Sequence, residues 1–162
     1  MARVILICGR ICSGKSYYAS EICKQENAVV LSCDELTFAL FDGQLGDAHD
    51  RISARMERYF MDKSVEIVHA GTNVILDWGF WSKESRQDVR AFFAQHGVEC
   101  EMHYIDVSPD VWHMQIECRN EAVRSGLSGT YIVDDGLIAK LESRFQAPLP
   151  EEIDVWYQNV HD

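Results

Sequence analysis

Eight residues near the start of the chain have the types and the spacing of a phosphate-binding loop. Residues 9–16 read GRICSGKS, a complete G-x-x-x-x-G-K-[ST] (Walker A) pattern, and they directly follow the apolar run VILIC at residues 4–8. This motif needs a buried strand, a glycine-rich turn and the start of a helix, and the sequence supplies all three. We therefore predict binding of a nucleoside triphosphate by Gly9, Arg10, Ile11, Cys12, Ser13, Gly14, Lys15, Ser16 and Tyr17.

The residue types of this loop fit the chemistry of phosphate. Gly9 and Gly14 allow the backbone to curl so that several N–H groups point at one anion, and the following helix adds its positive end. Lys15 has the reach to contact the β- and γ-phosphates, and the Ser16 hydroxyl is suited to binding Mg²⁺. The loop therefore predicts a site for a nucleoside triphosphate with its magnesium ion.

Two aspartates follow predicted strands and are candidates for the reaction itself. Asp34 follows the apolar run AVVLSC, and Asp77 follows NVIL. One carboxylate could accept the proton of a substrate hydroxyl as it attacks the γ-phosphoryl group, while the other supports Mg²⁺. We assign Asp34 to the base and Asp77 to the metal, although the sequence allows the reverse. Each also has a structural alternative, Asp34 as a helix cap and Asp77 as a turn residue.

Two arginines lie beside a glycine-spaced stretch near the end of the chain. Arg119 and Arg124 precede or begin the segment RSGLSG at residues 124–129. Mobile arginines next to a γ-phosphate stabilise the charge of the transition state, and the glycines would let this segment close. We predict a lid at about residues 119–130, with Arg119 as a catalytic residue and Arg124 as a substrate-binding residue. The alternative is a solvated helix face.

Two further residues are candidates for binding a substrate. Arg55 belongs to a set of arginines at helical spacing, at positions 51, 55 and 58, which would bind an anionic group or form a solvated face with neighbouring acids. Trp78 opens the aromatic cluster WGFW directly after Asp77. It would stack on a flat substrate or cover the end of the sheet.

Alternating apolar runs and helical patterns set the elements that must position these residues. The predicted strands are 4–8, 28–33, 73–76, 99–107 and an edge strand within 153–160. The predicted helices are 16–25, 35–41, 47–70, 82–96, 109–126 and 134–145. Strands separated by helices indicate an α/β fold with a mostly parallel five-stranded sheet and helices on both faces. Ligands of such sheets bind at the carboxyl ends of the strands, where the loop, Asp34 and Asp77 all fall.

Composition and charge narrow the classes of protein. The 162 residues fit a single domain, and 26 acidic against 15 basic side chains give a net charge of −11. This charge disfavours an extended nucleic-acid interface. Six scattered cysteines favour a reducing compartment, and no apolar run reaches the roughly 20 residues that span a bilayer. We expect a cytoplasmic protein without a membrane segment, and the oligomeric state is not indicated.

The sequence resembles the small AAA-type P-loop kinases, the group of chloramphenicol phosphotransferase, zeta toxins and polynucleotide kinase domains. The resemblance rests on GRICSGKS, Asp34, VILDWGFWSKESR, HYIDVSPDVWHMQIECRNEAV and SRFQAPLPEE. It implies a three-layer P-loop fold of the small-molecule kinase type with ATP and Mg²⁺. It also implies that Lys15 and Ser16 serve ATP and the metal, that Asp34 meets the substrate hydroxyl, and that Arg119 is the lid arginine.

One position departs from the pattern of the group. Many relatives carry an arginine one turn before the lid arginine, whereas this chain has Gln115. Either Arg124 takes over that role or phosphoryl transfer is weaker than in the group at large.

The function expected from these residues is ATP-dependent transfer of the γ-phosphoryl group to a hydroxyl of a small molecule. An antibiotic, a sugar, a nucleoside or a nucleotide sugar would each serve as acceptor, and no residue pattern separates them or distinguishes ATP from GTP. One alternative is a nucleotide-binding switch or ATPase that regulates a partner. Another is a toxin-like or polynucleotide kinase.

Overall fold

The computed structural model describes residues 1–160, in which a central sheet is covered by helices on both faces. The strands are β1 (Val4–Cys8), β2 (Ala28–Leu31), β3 (Asn73–Gly79), β4 (Cys100–Val107) and β5 (Val155–Asn159). The helices are α1 (Lys15–Glu26), α2 (Cys33–Phe41), α3 (His49–His69), α4 (Lys83–Gln95), α5 (Pro109–Arg124) and α6 (Asp135–Glu142).

The sheet has the strand order β2-β3-β1-β4-β5, with parallel pairing between all neighbours. The five-stranded α/β architecture predicted from the sequence is thus confirmed, including the edge strand near the end of the chain. β1 lies at the centre, and all five of its residues are buried. This placement fits its unbroken apolar sequence, because a strand with covered faces has no side for polar residues.

The side chains of β1 alternate between two apolar cores. Val4 and Leu6 face a core shared with α3 and α4, and Ile5 and Ile7 face a second core with α1. These two cores give the three-layer arrangement. A helix of sufficient length and apolarity to cross a membrane does not occur in residues 1–160.

Two predicted strand ends are wrong, and both lie at the carboxyl edge of the sheet. β2 ends at Leu31 and not at Cys33, because the Ser32 hydroxyl accepts a hydrogen bond from the Glu35 amide at 3.3 Å and begins α2. β3 continues past Asp77 to Gly79, whose carbonyl oxygen accepts a bond from the Gly9 amide. Asp77 therefore lies within a strand, and Asp34 lies in the first turn of a helix.

Helix ends elsewhere follow local sequence signals. Ser108 caps α5 and Pro109 is its first residue, as predicted. The last predicted helix, 134–145, is shorter in the structure, since α6 ends at Glu142. The chain turns there so that Phe145 packs against the core.

Candidate functional site

The phosphate-binding loop joins β1 to α1 and depends on its second glycine. Gly14 has φ +92°, in the left-handed region that glycine adopts without strain. A Cβ atom at this position would overlap the Asn159 side-chain amide. The motif glycine is therefore required both by the backbone conformation and by the close approach of β5.

Three carbonyl oxygens of the loop accept hydrogen bonds from side chains of other elements. Indole N–H groups of Trp81 and Trp112 donate to Gly9 O at 3.0 Å and to Ile11 O at 2.7 Å. The Asn159 amide donates to Ser13 O at 2.9 Å. Donors from three separate parts of the chain thus fix the shape of the loop before any ligand binds.

Lys15, Ser16 and Asp77 form the inner end of the site. The Lys15 ammonium donates to Arg10 O at 2.7 Å, and the Ser16 hydroxyl donates to Asp77 Oδ2 at 2.8 Å. Burial raises the pKa of Asp77, an effect opposed by Lys15 and by the Ser16 hydrogen bond. Burial also lowers the pKa of Lys15, and the nearby charges of Asp77 and Asp34 oppose that shift.

An open cavity of about 460 Å³ lies next to these residues. It brings together four of the predicted site residues from α1, α2, β3 and α5, namely Ser16, Asp34, Asp77 and Arg119. The cavity is also lined by Asp34, Glu35 and Phe38 of α2 and by Tyr131, and we call these four residues the outer wall.

The two aspartates occupy different environments within this cavity. Asp77 is 7% exposed and bonded to Ser16 of the phosphate-binding loop. Asp34 is exposed on the outer wall, and its charge reaches Lys15, Asp77 and Tyr131. The helix cap considered for Asp34 is supplied by Ser32 instead. The Asp34 carboxylate is therefore available to the cavity.

Arg119 reaches over the phosphate-binding loop from α5. Its Nη1 atom lies 3.8 Å from Cys12 Sγ, and its guanidinium group lies 4.7 Å from the centre of the Tyr131 ring. Gln115, one turn earlier, lies beside the loop, with Oε1 4.0 Å from the position that a Cβ atom on Gly14 would take. The residue that departs from the family pattern thus lies directly behind the loop.

Three residues predicted to bind substrate lie away from the lining of this cavity. Arg124 is exposed and pairs with Glu121 at 3.8 Å. Arg55 is exposed on α3. Trp78 packs against the rings of Phe60 and Phe80, which favours its alternative role of covering the sheet.

Several residues of the site were not singled out from the sequence. Glu35, Phe38 and Tyr131 line the cavity. Glu35 adjoins Asp34, and Tyr131 follows the glycine-spaced lid segment, so their positions along the chain offered a weak signal. The contact of Trp81 with Gly9 spans 72 residues and had no local signal.

A buried arginine supports the segment that carries Trp81. Arg86 is 2% exposed and bonds to Glu152 through Nε at 3.0 Å. Its Nη1 group donates to Phe80 O at 3.1 Å and to Gln146 O at 3.0 Å. Arg86 therefore ties the end of β3 to the chain before β5, and this connection holds Trp81 against the loop.

Ser16 and Asp77 are suited to a magnesium ion. Residues 1–160 contain no group of three or more His, Cys, Asp or Glu side chains placed to hold a metal. A hydroxyl and a carboxylate nevertheless supply the oxygen ligands that Mg²⁺ prefers, and this ion commonly completes its shell with phosphate oxygens and water. The pair thus fits a metal that arrives with a nucleotide.

Comparison with known proteins identifies the family. A sequence profile described as the AAA domain matches residues 4–148, and the chain belongs to this family. No functionally curated protein matches the sequence significantly.

Solved structures with this fold include several kinases. An APS kinase of Mycobacterium tuberculosis, in complex with AMPPNP and APS, is 19% identical with a TM-score of 0.69. The match covers 99% of this chain and 90% of the APS kinase chain. A sugar kinase from Janibacter sp. is 15% identical with a TM-score of 0.66, and the match covers 98% of this chain and 86% of the sugar kinase chain. A gluconokinase from Sinorhizobium meliloti is 14% identical with a TM-score of 0.62, and the match covers 99% of this chain and 84% of the gluconokinase chain. The fold is that of the P-loop kinases.

Proposed function

We propose that this protein is an ATP-dependent phosphotransferase that moves the γ-phosphoryl group of ATP to a hydroxyl of a small molecule. The observation that carries the proposal is the shared cavity. The hydroxyl of Ser16 in the phosphate-binding loop, the exposed carboxylate of Asp34 and the guanidinium group of Arg119 all line one open space.

The two aspartates take different roles in this proposal. Asp77, buried against Ser16, is the metal-side carboxylate, and a bound Mg²⁺ ion would neutralise charge on the phosphates. Asp34, exposed on the outer wall, is the general base. Its carboxylate accepts the proton of the acceptor hydroxyl while that oxygen bonds to the γ-phosphorus. The bond between the γ-phosphorus and the bridging oxygen breaks, and ADP leaves.

Lys15 and Arg119 are assigned to the charge of the transferring phosphoryl group. Lys15 lies in the loop, and Arg119 reaches the loop from α5, within 3.8 Å of Cys12. Positive groups fixed at the position where negative charge develops lower the barrier without reorganising during the step. In the proposal, residues 119–130 act as a lid that brings Arg119 into place and excludes water.

The test is acceptor-dependent release of ADP. The purified chain is incubated with ATP, Mg²⁺ and a panel of sugars, nucleosides and antibiotics, and the phosphorylated product is detected by mass spectrometry. We expect Asp34→Asn to lower kcat by about 10²–10⁴-fold with ATP binding retained. The matched control is Asp42→Asn, which removes the same charge at the exposed end of α2 and is expected to leave kcat unchanged.

Two results would contradict the proposal. One is intact ATP binding without transfer to any acceptor. The other is acceptor-independent ATP hydrolysis that Asp34→Asn leaves unchanged, which would favour a nucleotide switch or an ATPase regulating a partner.

A further inference from the structure

The charges lining the cavity are unequally distributed between its two walls. Its charged lining residues, within the part of the chain that the structure describes, are Asp34, Glu35, Asp77 and Arg119. Arg119 extends toward the loop, where the triphosphate would lie, and Asp77 is bonded to Ser16. Asp34 and Glu35 remain as two carboxylates on the outer wall, where the acceptor would lie.

We propose that the acceptor is a hydroxyl compound that carries a positively charged amine. This inference rests on the proposed function, because it concerns the second substrate of the same site. Two carboxylates in a concave site attract a cation and repel an anion, and the γ-phosphate of bound ATP adds negative charge on the other side. An amine-bearing acceptor would be held between these charges.

The aromatic members of the outer wall favour the same class of ligand. Phe38 lies one helical turn after Asp34 and Glu35 on α2, and all three residues line the cavity. Tyr131 also belongs to the outer wall, and its ring has the Arg119 guanidinium group 4.7 Å from its centre. Aromatic faces together with carboxylates are a common binding site for ammonium groups. Burial and then the charge of Asp34 raise the pKa of Tyr131, and the Arg119 guanidinium group opposes this shift.

The positions of the arginines argue against an acceptor that carries a phosphate or a carboxylate. Arg55 and Arg124, the two arginines predicted to bind substrate, lie outside the cavity lining, and Arg124 pairs with Glu121. An anionic acceptor would meet Asp34, Glu35 and the γ-phosphate. Its only positive contact among the described lining residues would be Arg119, which the transferred group also requires.

The experiment compares acceptors that share a scaffold and differ in charge. Glucosamine, glucose and glucose 6-phosphate form one set, and an aminonucleoside, its parent nucleoside and the nucleotide form a second. We expect kcat/KM to fall by about tenfold from the amine to the neutral compound and again to the phosphate at low ionic strength. The differences should shrink as salt is added.

A variant tests whether the outer wall is the cause. Glu35→Gln should lower the ratio of kcat/KM for the amine over the neutral compound by about threefold to tenfold. Glu117→Gln, the same change at an exposed position on α5, should leave that ratio unchanged. Circular dichroism and ATP binding verify that both variants are folded.

The outcomes separate this inference from the kinase proposal. Transfer to the phosphate-bearing compounds at least as fast as to the amines would overturn the inference and leave the kinase intact. An amine preference that survives Glu35→Gln would also overturn it. Absence of transfer to all six compounds and to the wider panel, with ATP still bound, would overturn the kinase proposal and this inference with it.

Discussion

The phosphate-binding loop and the outer wall face the same cavity but are held in different ways. Loop carbonyl oxygens accept bonds from Trp81, Trp112 and Asn159, and the loop follows a fully buried strand. On the outer wall, Asp34 and Glu35 are exposed, and Tyr131 is 44% exposed. One side is fixed by long-range hydrogen bonds, and the other presents side chains to solvent.

This difference matches what each side is proposed to bind. The phosphates of a nucleotide have one geometry, so a loop fixed in advance loses little entropy on binding. An acceptor must enter, react and leave, and the wall that receives it must open to solvent and close again. Changes to the groups that support the loop should therefore alter stability and ATP binding, whereas changes at the outer wall and at Arg119 should alter phosphoryl transfer.

The largest effect is expected on stability, from removing the buried arginine that holds Trp81 against the loop. Arg86→Ala removes a guanidinium group that is 2% exposed and leaves Glu152 without its partner. We expect a loss of about 3–5 kcal/mol in the free energy of unfolding, measured by urea denaturation.

The control for Arg86 lies one turn along the same helix. Arg90 pairs with Asp154 at 2.6 Å, but both side chains are partly exposed. Arg90→Ala should cost about 1 kcal/mol or less, because exposed ion pairs contribute little. Equal losses of unfolding free energy in the two variants would show that burial does not account for the contribution of Arg86 to stability.

The second effect concerns Arg119, which lies between the loop and Tyr131, and it should appear in rate rather than stability. Arg119→Ala is expected to lower kcat for phosphoryl transfer by about 10²-fold, since it removes a positive group from the transition state. Its control is Arg124→Ala, which removes an exposed arginine paired with Glu121. We expect Arg124→Ala to change kcat by less than about twofold. A large loss in Arg124→Ala would instead support its substitution for the arginine missing at Gln115.

Features with local causes were predictable from the sequence. The loop at Gly9–Ser16 follows from glycine conformation and a preceding apolar strand, and the Ser108–Pro109 helix start follows from capping chemistry. The end of β2 was missed although its signal is local, since Ser32 is a good cap but the apolar Cys33 continued the strand pattern.

Features that depend on long-range contacts were not predictable. Arg86 and Glu152 are 66 residues apart, and Trp81 and Gly9 are 72 apart. Nothing in the residue types says which tryptophan of the cluster turns toward the loop and which, like Trp78, packs on the core. The separation of Asp34 from Asp77 by burial likewise required the packing of α2 against the sheet.

A third, smaller effect is expected from removing one of the loop's hydrogen bonds. Trp81→Phe keeps an aromatic side chain and deletes the indole N–H that donates to Gly9 O at 3.0 Å. An unpaired carbonyl costs about 1 kcal/mol or more, so KM for ATP should rise by about fivefold to tenfold with little change in kcat. Trp156 lies on the edge strand β5, and Trp156→Phe deletes a comparable bond to Asp106. This variant should leave KM for ATP unchanged. Equal KM values in the two variants would contradict a role for Trp81 in fixing the loop.

The smallest effect is on stability and concerns Asp77, at the boundary between the two sides. Burial raises its pKa above 3.8, so the folded state holds the proton more tightly than the unfolded state. As the pH rises above 3.8, the unfolded chain ionises first and the folded state loses stability relative to it. Asp77→Asn removes this penalty, so the variant should be more stable than the parent at pH 7, and the difference should shrink as the pH falls toward 3.8.

The measurement is urea denaturation of Asp77→Asn and the parent across this pH range, with Asp88→Asn as the control. Asp88 is exposed on α4, so its substitution reports the general benefit of removing one acid from a chain of net charge −11. Asp77→Asn should exceed this control in stability and lose Mg²⁺-dependent transfer. A variant less stable than the parent at every pH would mean that the charged contacts of Asp77 with Lys15 and Ser16 outweigh the cost of its burial. In that case the carboxylate would belong to the rigid framework of the loop, and not to a site whose charge is stabilised only when the metal and the nucleotide arrive.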